Sequence, residues 1–369
     1  MKRALLLCCT LLLHAAPRLS AQERGAAALG ELVRGLGTTG RVLVIGAHPD
    51  DEDTQLIAWL ATGRHVETAY LSLTRGDGGQ NLIGNELGET LGMIRTEELL
   101  AARRIDGGRQ YFTRAFDFGF SKNAEETFKH WPHDSILKDV VTIVRAYRPQ
   151  VIVSIWTGTP ADGHGHHQAS GILAREAFDA AADSVRFPTT STRGLPPWTP
   201  LKFYRARGYY REGATLWFNV GEYDPLLGHS YSEIATRSRS QHRSQGQGAL
   251  ENKGVRMDAV KLEVSRVSNV ADAAKERGFF DGIDTSWARF QAVSLAAPYR
   301  AALDSLVGAQ RAVDSSMRLY EPSVMVKPLA HYVALVNRVG FGLECVLLPP
   351  DEPGPRPVCR GERGDLANA

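Results

Sequence analysis

The sequence lacks an excess of charge of either sign. Its 369 residues carry 43 basic and 41 acidic side chains, so the formal net charge is only +2. A protein whose main partner is a nucleic acid or an anionic membrane surface usually carries a clustered basic excess. The composition therefore predicts no nucleic-acid partner. With 43% hydrophobic residues the chain can bury a sizeable core, as soluble globular proteins do.

The sequence is also poor in cysteine. Of its four cysteines, Cys8 and Cys9 lie in the apolar amino-terminal stretch, which leaves Cys345 and Cys359. Neither has a histidine or a second ligand at metal-binding spacing, which argues against a catalytic or metal-binding thiol. A disulfide between Cys345 and Cys359 is left open, because two thiols in an oxidising compartment can pair.

Long hydrophobic runs are absent beyond the amino terminus. The apolar stretch from Ala4 to Ala16 follows Lys2 and Arg3 and precedes small residues at Ser20 and Ala21. This layout is typical of an export signal, and the stretch is shorter than the ~20 residues that span a bilayer. We therefore predict a signal peptide over residues 1–21, a secreted or periplasmic protein, and no integral membrane segment after cleavage.

Strand-like and helix-like segments alternate from Arg41 to about Ala182. The β-branched run RVLVIG precedes apolar residues at helical spacing, VETAYLSL follows, and QVIVSIW lies between two helical patterns. This alternation predicts an α/β fold, with a Rossmann-like, mostly parallel sheet flanked by helices. Beyond it, LKFYRAR and ATLWFNV are predicted as strands of a smaller element that could be antiparallel.

Two polar segments follow strands of the predicted sheet. His48 to Glu52 comes directly after the first strand, and Asp162 to Ser170 follows QVIVSIW. Ligands of open α/β sheets bind outside the carboxyl ends of the strands, so four histidines and several acids should meet at one edge. Imidazole and carboxylate are the ligands of a catalytic Zn²⁺ that keeps a fourth position open for water. The spacing predicts His48, Asp51 and His167 as metal ligands.

The neighbours of these ligands suggest a hydrolytic mechanism. Asp50, turned away from Asp51 by the Pro49 turn, is a candidate general base for a water activated by the metal. His164, three residues before His167, could stabilise an oxyanion. Zinc is inferred from ligand type, and Fe²⁺ or Co²⁺ would suit the same ligands. Against this, Asp51 after a proline could be an ordinary helix cap.

At these residues the sequence resembles the PIG-L/LmbE-like zinc-dependent N-acetylglucosamine deacetylases. The family's AHPDDE motif is unbroken as Ala47 to Glu52, and its His-x-x-His element is present as His164 to His167. The resemblance implies a Rossmann-like fold and the same assignments: zinc on His48, Asp51 and His167, with Asp50 as base and His164 as the electrophilic histidine.

The resemblance also assigns residues outside the ligand set. His166 stands where many members have Asp, and we expect it to orient a ligand without binding the metal itself. The family's Arg-x-x-Glu-Leu helix is present as Arg95 to Leu99; Arg95 is implied to touch substrate hydroxyls, whereas Glu98 is expected to hold the helix. His229 and His242 lack ligand spacing and are predicted to be surface or core residues.

The predicted function follows from this resemblance, and the predicted domains follow from the resemblance together with the pattern of the later residues. We predict a deacetylase domain over residues 22–250, a helical C-terminal extension over residues 251–345, and a loose tail rich in Pro and Gly over residues 346–369. The predicted reaction removes the N-acetyl group from an N-acetylglucosamine-type sugar or glycoconjugate, and substrate specificity is expected in loops such as Asp183 to Pro200. Two alternatives stay open: a metal hydrolase of another amide or ester, and a non-catalytic glycan-binding module.

Overall fold

The computed structural model describes residues 37–206, 213–267 and 276–286, together with single positions at 31, 34, 35, 289, 301, 304, 305, 307 and 308. The predicted signal peptide, Cys345, Cys359 and the predicted tail over residues 346–369 lie outside the described residues. Within the described part of the chain, no helix is long and apolar enough to cross a membrane.

The centre of the described structure is a seven-stranded sheet. Its strands are β1 (Arg41–Gly46), β2 (Glu67–Ser72), β3 (Arg109–Phe112), β4 (Val151–Ser154), β5 (Lys202–Ala206), β6 (Leu216–Asn219) and β9 (Met257–Ser265), beside a two-stranded ribbon of β7 (Tyr223–Asp224) and β8 (His229–Ser230). The order across the sheet is β3-β2-β1-β4-β5-β9-β6. Strands β1 to β5 pair in parallel, and β9 runs antiparallel to both β5 and β6. The predicted mostly parallel sheet is thereby confirmed.

Helices cover both faces of the sheet, because successive side chains of a buried strand point to opposite sides. The helices are α1 (Thr54–Ala58, continued by a π-helical turn at Trp59–Gly63), α2 (Glu89–Asp106), α3 (Ala124–His130), α4 (His133–Tyr147), α5 (Gly165–Ala180) and α6 (Tyr231–Arg239). Leu43 and Ile45 of β1 pack into one hydrophobic cluster with helices α4 and α5, whereas Val42 and Val44 pack into a second cluster with α1 and α6.

Two predictions about the part of the sheet formed by β5, β6 and β9 are wrong. The runs LKFYRAR and ATLWFNV do not form a separate element, since β5 pairs with β4 and β6 joins the same sheet through β9. Strand β9 lies inside the predicted helical extension over residues 251–345, so the boundary at residue 250 cuts through the sheet. The alternation of apolar and polar residues in MDAVKLEVS has the period of a half-buried strand, which agrees with β9 and not with a helix.

Candidate metal centre

The turn after β1 brings the first histidine and its acids together. A side chain on Gly46 would lie 2.4 Å from the Tyr70 hydroxyl, so a larger residue here would force the buried tyrosine to move. The Tyr70 hydroxyl donates to the backbone oxygen of His48 at 2.6 Å. Oδ2 of Asp51 accepts the backbone N–H groups of Ala47 and His48 at 2.8 and 2.9 Å. This carboxylate therefore folds back onto its own turn beside the His48 ring.

The second segment reaches the same place from the loop between β4 and α5. The Asp162 carboxylate accepts the backbone N–H groups of Thr157 and Gly158 at 3.0 and 2.7 Å, which shapes the loop. His164 is the N-cap of α5 and therefore precedes the first helical residue, Gly165, whereas His167 lies in the first turn of the helix. Nδ1 of His167 lies 3.3 Å from the Asp162 carbonyl, and a proton donated there leaves Nε2 free to bind.

The structure brings the three predicted ligands together. Nδ1 of His48 lies 3.5 Å from Oδ2 of Asp51, and Nε2 of His167 lies 3.5 Å from Oδ1 of the same carboxylate. One ligand atom from each residue can be chosen so that all three lie within 4.8 Å of one another. Bonds of roughly 2.0–2.2 Å to a shared ion place ligand atoms at such separations. The donor set and its spacing fit a divalent cation, and the ligand roles themselves remain predictions.

A second group of three histidines overlaps the first. Nε2 of His48 lies 3.0 Å from Nδ1 of His166, and His164 is close to both. The His164 and His166 rings, however, stack with centroids 4.5 Å apart and planes only 26° apart. Lone pairs lie in the ring planes, so nearly parallel rings aim poorly at one ion. The first group, in which the His48 and His167 planes are 71° apart, is the better site.

His166 lies behind His48, as expected of a residue that orients a ligand. It is fully buried, and its ring stacks on Trp131 at 4.5 Å. Burial, together with His48 and His164, lowers the pKa of His166 to about 2, so this ring is neutral. If Nε2 of His48 donates to Nδ1 of His166, the Nδ1 lone pair of His48 is left for the cation.

Asp50 lies beside the ligands but faces a different direction. Its φ is +90°, an unusual conformation for a residue with a side chain. Oδ2 accepts a hydrogen bond from Nε2 of Gln247 at 3.1 Å. Burial and the charge of Asp51 raise the pKa of Asp50, although Arg239 lowers it in part. Asp51 shows the opposite behaviour: His167 and His48 outweigh its burial and hold its pKa well below the usual range.

Glu52, the last acid of the motif, belongs to a buried network that the sequence analysis missed. Oε1 of Glu52 lies 2.6 Å from Nε2 of His242 and 3.3 Å from Nη2 of Arg103, which also pairs with Asp106 at 2.6 Å. His242 is fully buried and is therefore a core residue, one of the two predicted settings. Its contact with Glu52 was not predicted. The two partners are 190 positions apart, and no local pattern links them.

Residues 239–247, which include His242, also hydrogen-bond to Pro49 and Asp50 in the turn after β1. Nη1 of Arg239 donates to the backbone oxygen of Asp50. Nε2 of Gln245 donates to the backbone oxygen of Pro49 at 2.7 Å. With Gln247 on the Asp50 carboxylate, residues 239–247 hold the turn that presents the candidate base. The only sequence signal was the cluster of basic and amide residues in HRSQGQG.

Glu52 is expected to make the stability of the metal-free protein depend on acidic pH. Burial alone would raise its pKa, but His242 and Arg103 lower the pKa of Glu52 from 4.5 to about 2. Because the folded-state pKa is depressed, the stabilisation is complete above the unfolded value and is lost as pH falls from about 4.5 towards 2. We expect the free energy of unfolding of the native protein to exceed that of Glu52→Gln by about 3 kcal/mol at neutral pH.

Denaturant unfolding of both proteins at several pH values measures this contribution. The difference in the free energy of unfolding should shrink steadily below about pH 4.5. Parallel curves for the native protein and Glu52→Gln would contradict a depressed pKa for Glu52.

Arg95 bonds the loop that follows the second strand and a serine of the distant segment over residues 239–247. It lies in the wall of the cavity, yet it is only 3% exposed. Its guanidinium donates to the backbone oxygens of Gly76 and Gln80 and to the Ser244 hydroxyl. Glu98 accepts from the backbone N–H and the hydroxyl of the same Ser244, both at 2.7 Å. These contacts hold the loop over residues 76–80 in place, and the contact of Arg95 with substrate hydroxyls stays a prediction.

The loop from Asp183 to Pro200 lies at the opposite edge of the sheet. The indole N–H of Trp198 donates to the backbone oxygen of Pro149, just before β4, and Arg145 donates to the backbone oxygens of Asp183 and Phe187. Both positions are at the amino ends of strands, whereas the histidines lie at the carboxyl ends. The expectation that this loop sets specificity is therefore wrong.

A cavity of about 1180 Å³ opens over the histidine and carboxylate cluster. This volume is slightly above the ~300–1,000 Å³ found for small-molecule sites. The cavity wall offers charged and amide side chains beside the predicted residues, which suits a polar ligand with several hydroxyl groups. Its lining includes the predicted residues His48, Asp50, Asp51, His164 and His167, together with Gln55, Arg239, Gln245, Gln247 and Arg256.

Both motifs lie in a region that is similar to a known protein family. Residues 43–178 match the family model described as PIG-L, GlcNAc-PI de-N-acetylase. The matched region contains all five residues that we predict as ligands or catalytic groups.

Several curated relatives resemble the chain over part of its length. A mycothiol S-conjugate amidase of Streptomyces coelicolor is 28% identical over 46% of this chain and 62% of its own. A 1D-myo-inositol 2-acetamido-2-deoxy-alpha-D-glucopyranoside deacetylase of Geodermatophilus obscurus is 29% identical over 50% of this chain and 68% of its own. A diacetylchitobiose deacetylase of Thermococcus kodakarensis is 30% identical over 38% of this chain and 50% of its own. The chain thus spans about three fifths of the length of the first relative.

Among solved structures, the N,N'-diacetylchitobiose deacetylase of Pyrococcus horikoshii aligns with a TM-score of 0.44 and 21% identity, over 61% of this chain and 77% of its own.

Proposed function

Because residues 43–178 form a PIG-L family domain, we propose that this protein is a metal-dependent hydrolase that removes the N-acetyl group from an N-acetylglucosamine-type sugar or glycoconjugate. The products are acetate and a free amine. The observation that carries the proposal is the convergence of His48, Asp51 and His167, whose ligand atoms lie within 4.8 Å of one another at the floor of the cavity.

His48, Asp51 and His167 would hold the cation. Zn²⁺ suits two imidazoles and a carboxylate, and Fe²⁺ or Co²⁺ suits the same set. When bound, the ion supplies Lewis-acid polarisation of the amide carbonyl and acidifies a water molecule. The contribution of the chain is to keep Asp51 ionised between two histidines and to direct their free nitrogens at one point.

Asp50 acts as general base and then as general acid. It accepts a proton from the attacking water and passes it to the departing amine. Support for this role comes from its position in the cavity wall and from its raised pKa, which brings the carboxyl group nearer to the pH at which it must exchange protons. The hydrogen bond from Gln247 keeps the carboxylate turned away from Asp51.

His164 donates a hydrogen bond to the oxyanion of the tetrahedral intermediate. Burial and the nearby His48 and His167 lower the pKa of His164 to about 4. The ring is therefore neutral near pH 7 and acts as an N–H donor rather than as an imidazolium. Its position as N-cap at the start of α5 sets it beside the ligand His167 on the cavity wall.

The proposed setting is outside the cytoplasm. The apolar stretch and small residues within residues 1–21 support export through a signal peptide. A glycan or glycoconjugate met there is the proposed substrate.

Acetate release from a panel of N-acetylated compounds tests the proposed reaction. Purified protein should release acetate from N-acetylglucosamine conjugates faster than from acyl-amino acids or simple esters. Chelation should abolish the release, and added Zn²⁺ should restore it. Faster turnover of acyl-amino acids or esters would indicate the other amide or ester hydrolase. Metal-free protein that binds glycans without releasing acetate would indicate a binding module and contradict the proposal.

A further inference from the structure

Trp156, at the end of the QVIVSIW run, contacts two of the three candidate metal ligands at once. Its indole lies flat on the His167 ring, with centroids 3.7 Å apart and planes within 8° of parallel. Its Nε1–H donates to Oδ2 of Asp51 at 2.8 Å. The sequence analysis assigned no role to this residue, because a tryptophan at a strand end is an ordinary core residue by pattern alone.

The backbone around Trp156 is held firmly. Its carbonyl accepts hydrogen bonds from the Ser154 hydroxyl at 2.7 Å and from Nη1 of Arg205 on the neighbouring strand. Two residues after Trp156, Gly158 packs directly on Gly171 of α5. A side chain on Gly171 would lie 2.2 Å from the backbone nitrogen of Gly158. Trp156 is therefore fixed to β4 on one side and to the helix of His167 on the other.

We propose that Trp156 is a positioning residue for the metal centre, one that fixes the orientation of both Asp51 and His167 before an ion binds. This inference rests on the proposed function, because it concerns the cation of that site. The hydrogen bond to Oδ2 of Asp51 leaves Oδ1 facing Nε2 of His167, and the flat stack restricts rotation of the imidazole. Residues that orient metal ligands in this way contribute about 10–100-fold to metal affinity.

The stack also favours the metal-bound form of His167. An imidazole that coordinates a dication becomes electron-poor, and the face of an indole is electron-rich. The attraction between the two rings therefore strengthens when the ion binds. Trp156 therefore aligns Asp51 and His167 before a metal binds, and it stabilises the metal-bound form of His167.

Metal affinity of the full-length protein tests this role. Trp156→Phe keeps a ring over His167 but removes the N–H donor to Asp51, whereas Trp156→Leu removes both. We expect the dissociation constant, measured by competition with a chromophoric chelator, to rise about 10–100-fold for Trp156→Phe and further for Trp156→Leu. Trp198→Phe is the matched control. It loses the same kind of N–H donation, to Pro149 at the opposite edge of the sheet, and should bind metal within about twofold of the native protein.

Two further measurements separate positioning from general damage. The thermal midpoint of metal-free Trp156→Phe should stay close to the native value, while the d–d absorption of its Co²⁺ form should differ from that of the native Co²⁺ protein. Saturating metal should restore most of kcat.

The outcomes distinguish this inference from the proposed function. If the native protein binds metal and both Trp156 variants bind it within about twofold of native, the positioning role is wrong and the proposed function stands. If the native protein binds no metal, the proposed function and the positioning role are both wrong. If Trp156→Leu does not fold, Trp156→Phe alone decides the question.

Discussion

Replacing Asp50 with asparagine is expected to lower kcat for acetate release by about 10²–10⁴-fold, the usual contribution of a positioned general acid–base group. The amide has nearly the same shape and can still accept the hydrogen bond from Gln247, but it cannot take a proton from water. Because Asp50 points away from the candidate ligands, the metal affinity of Asp50→Asn should stay close to the native value.

The matched control for Asp50→Asn is Asp53→Asn, the same change three residues further along. Asp53 caps α1 by accepting the backbone N–H groups of Gln55 and Leu56, and asparagine caps helices about as well as aspartate. Activity and stability of this variant should therefore match the native protein. An Asp50→Asn protein that keeps full kcat, or that loses its metal, would show that Asp50 is not the base.

The second large effect is expected for His167→Ala. Replacing a residue that only orients a metal ligand weakens metal binding by up to roughly 100-fold. Removal of one of the three protein ligands should weaken it by more than that. Activity should fall to the level of chelated enzyme, since the ion and the oriented water are lost together. Metal content after dialysis and acetate release measure the two consequences separately.

A histidine elsewhere on the surface controls for the loss of an imidazole. His133 lies at the start of α4, where it pairs with Asp134 and Glu176, and His133→Ala should keep both metal and activity. Full metal content in His167→Ala would contradict the ligand set and would favour the alternative group of His48, His164 and His166.

The parts of the structure that sequence reasoning predicted are those encoded by short-range pattern. The apolar run of β1 and the polar residues directly after it sufficed to place His48 and Asp51 at the carboxyl edge of the sheet. The same argument applied to β4 and α5 placed His167 beside them, because neighbouring parallel strands end at the same edge. Helix periodicity on either side of QVIVSIW indicated the two helices that the structure shows as α4 and α5.

What the sequence did not reveal depends on contacts between distant positions. The partnership of Glu52 and His242, and the hydrogen bond from Trp156 to Asp51, join residues that no local spacing relates. Arg95 and Glu98 have the spacing of an ordinary helix pair, but in the folded protein both bond Ser244. Strand β9 is the exception, because the alternation in MDAVKLEVS indicates a strand locally. Only its place between β5 and β6 depends on contacts between distant positions.

Zinc-edge anomalous diffraction from crystals grown with Zn²⁺ tests the central claim most directly. We predict one strong peak bound by Nδ1 of His48, Nε2 of His167 and a carboxylate oxygen of Asp51, each at roughly 2.0–2.2 Å, with Asp50 outside bonding distance. A peak held by other side chains, or the lack of any peak at this edge of the sheet, would contradict the account.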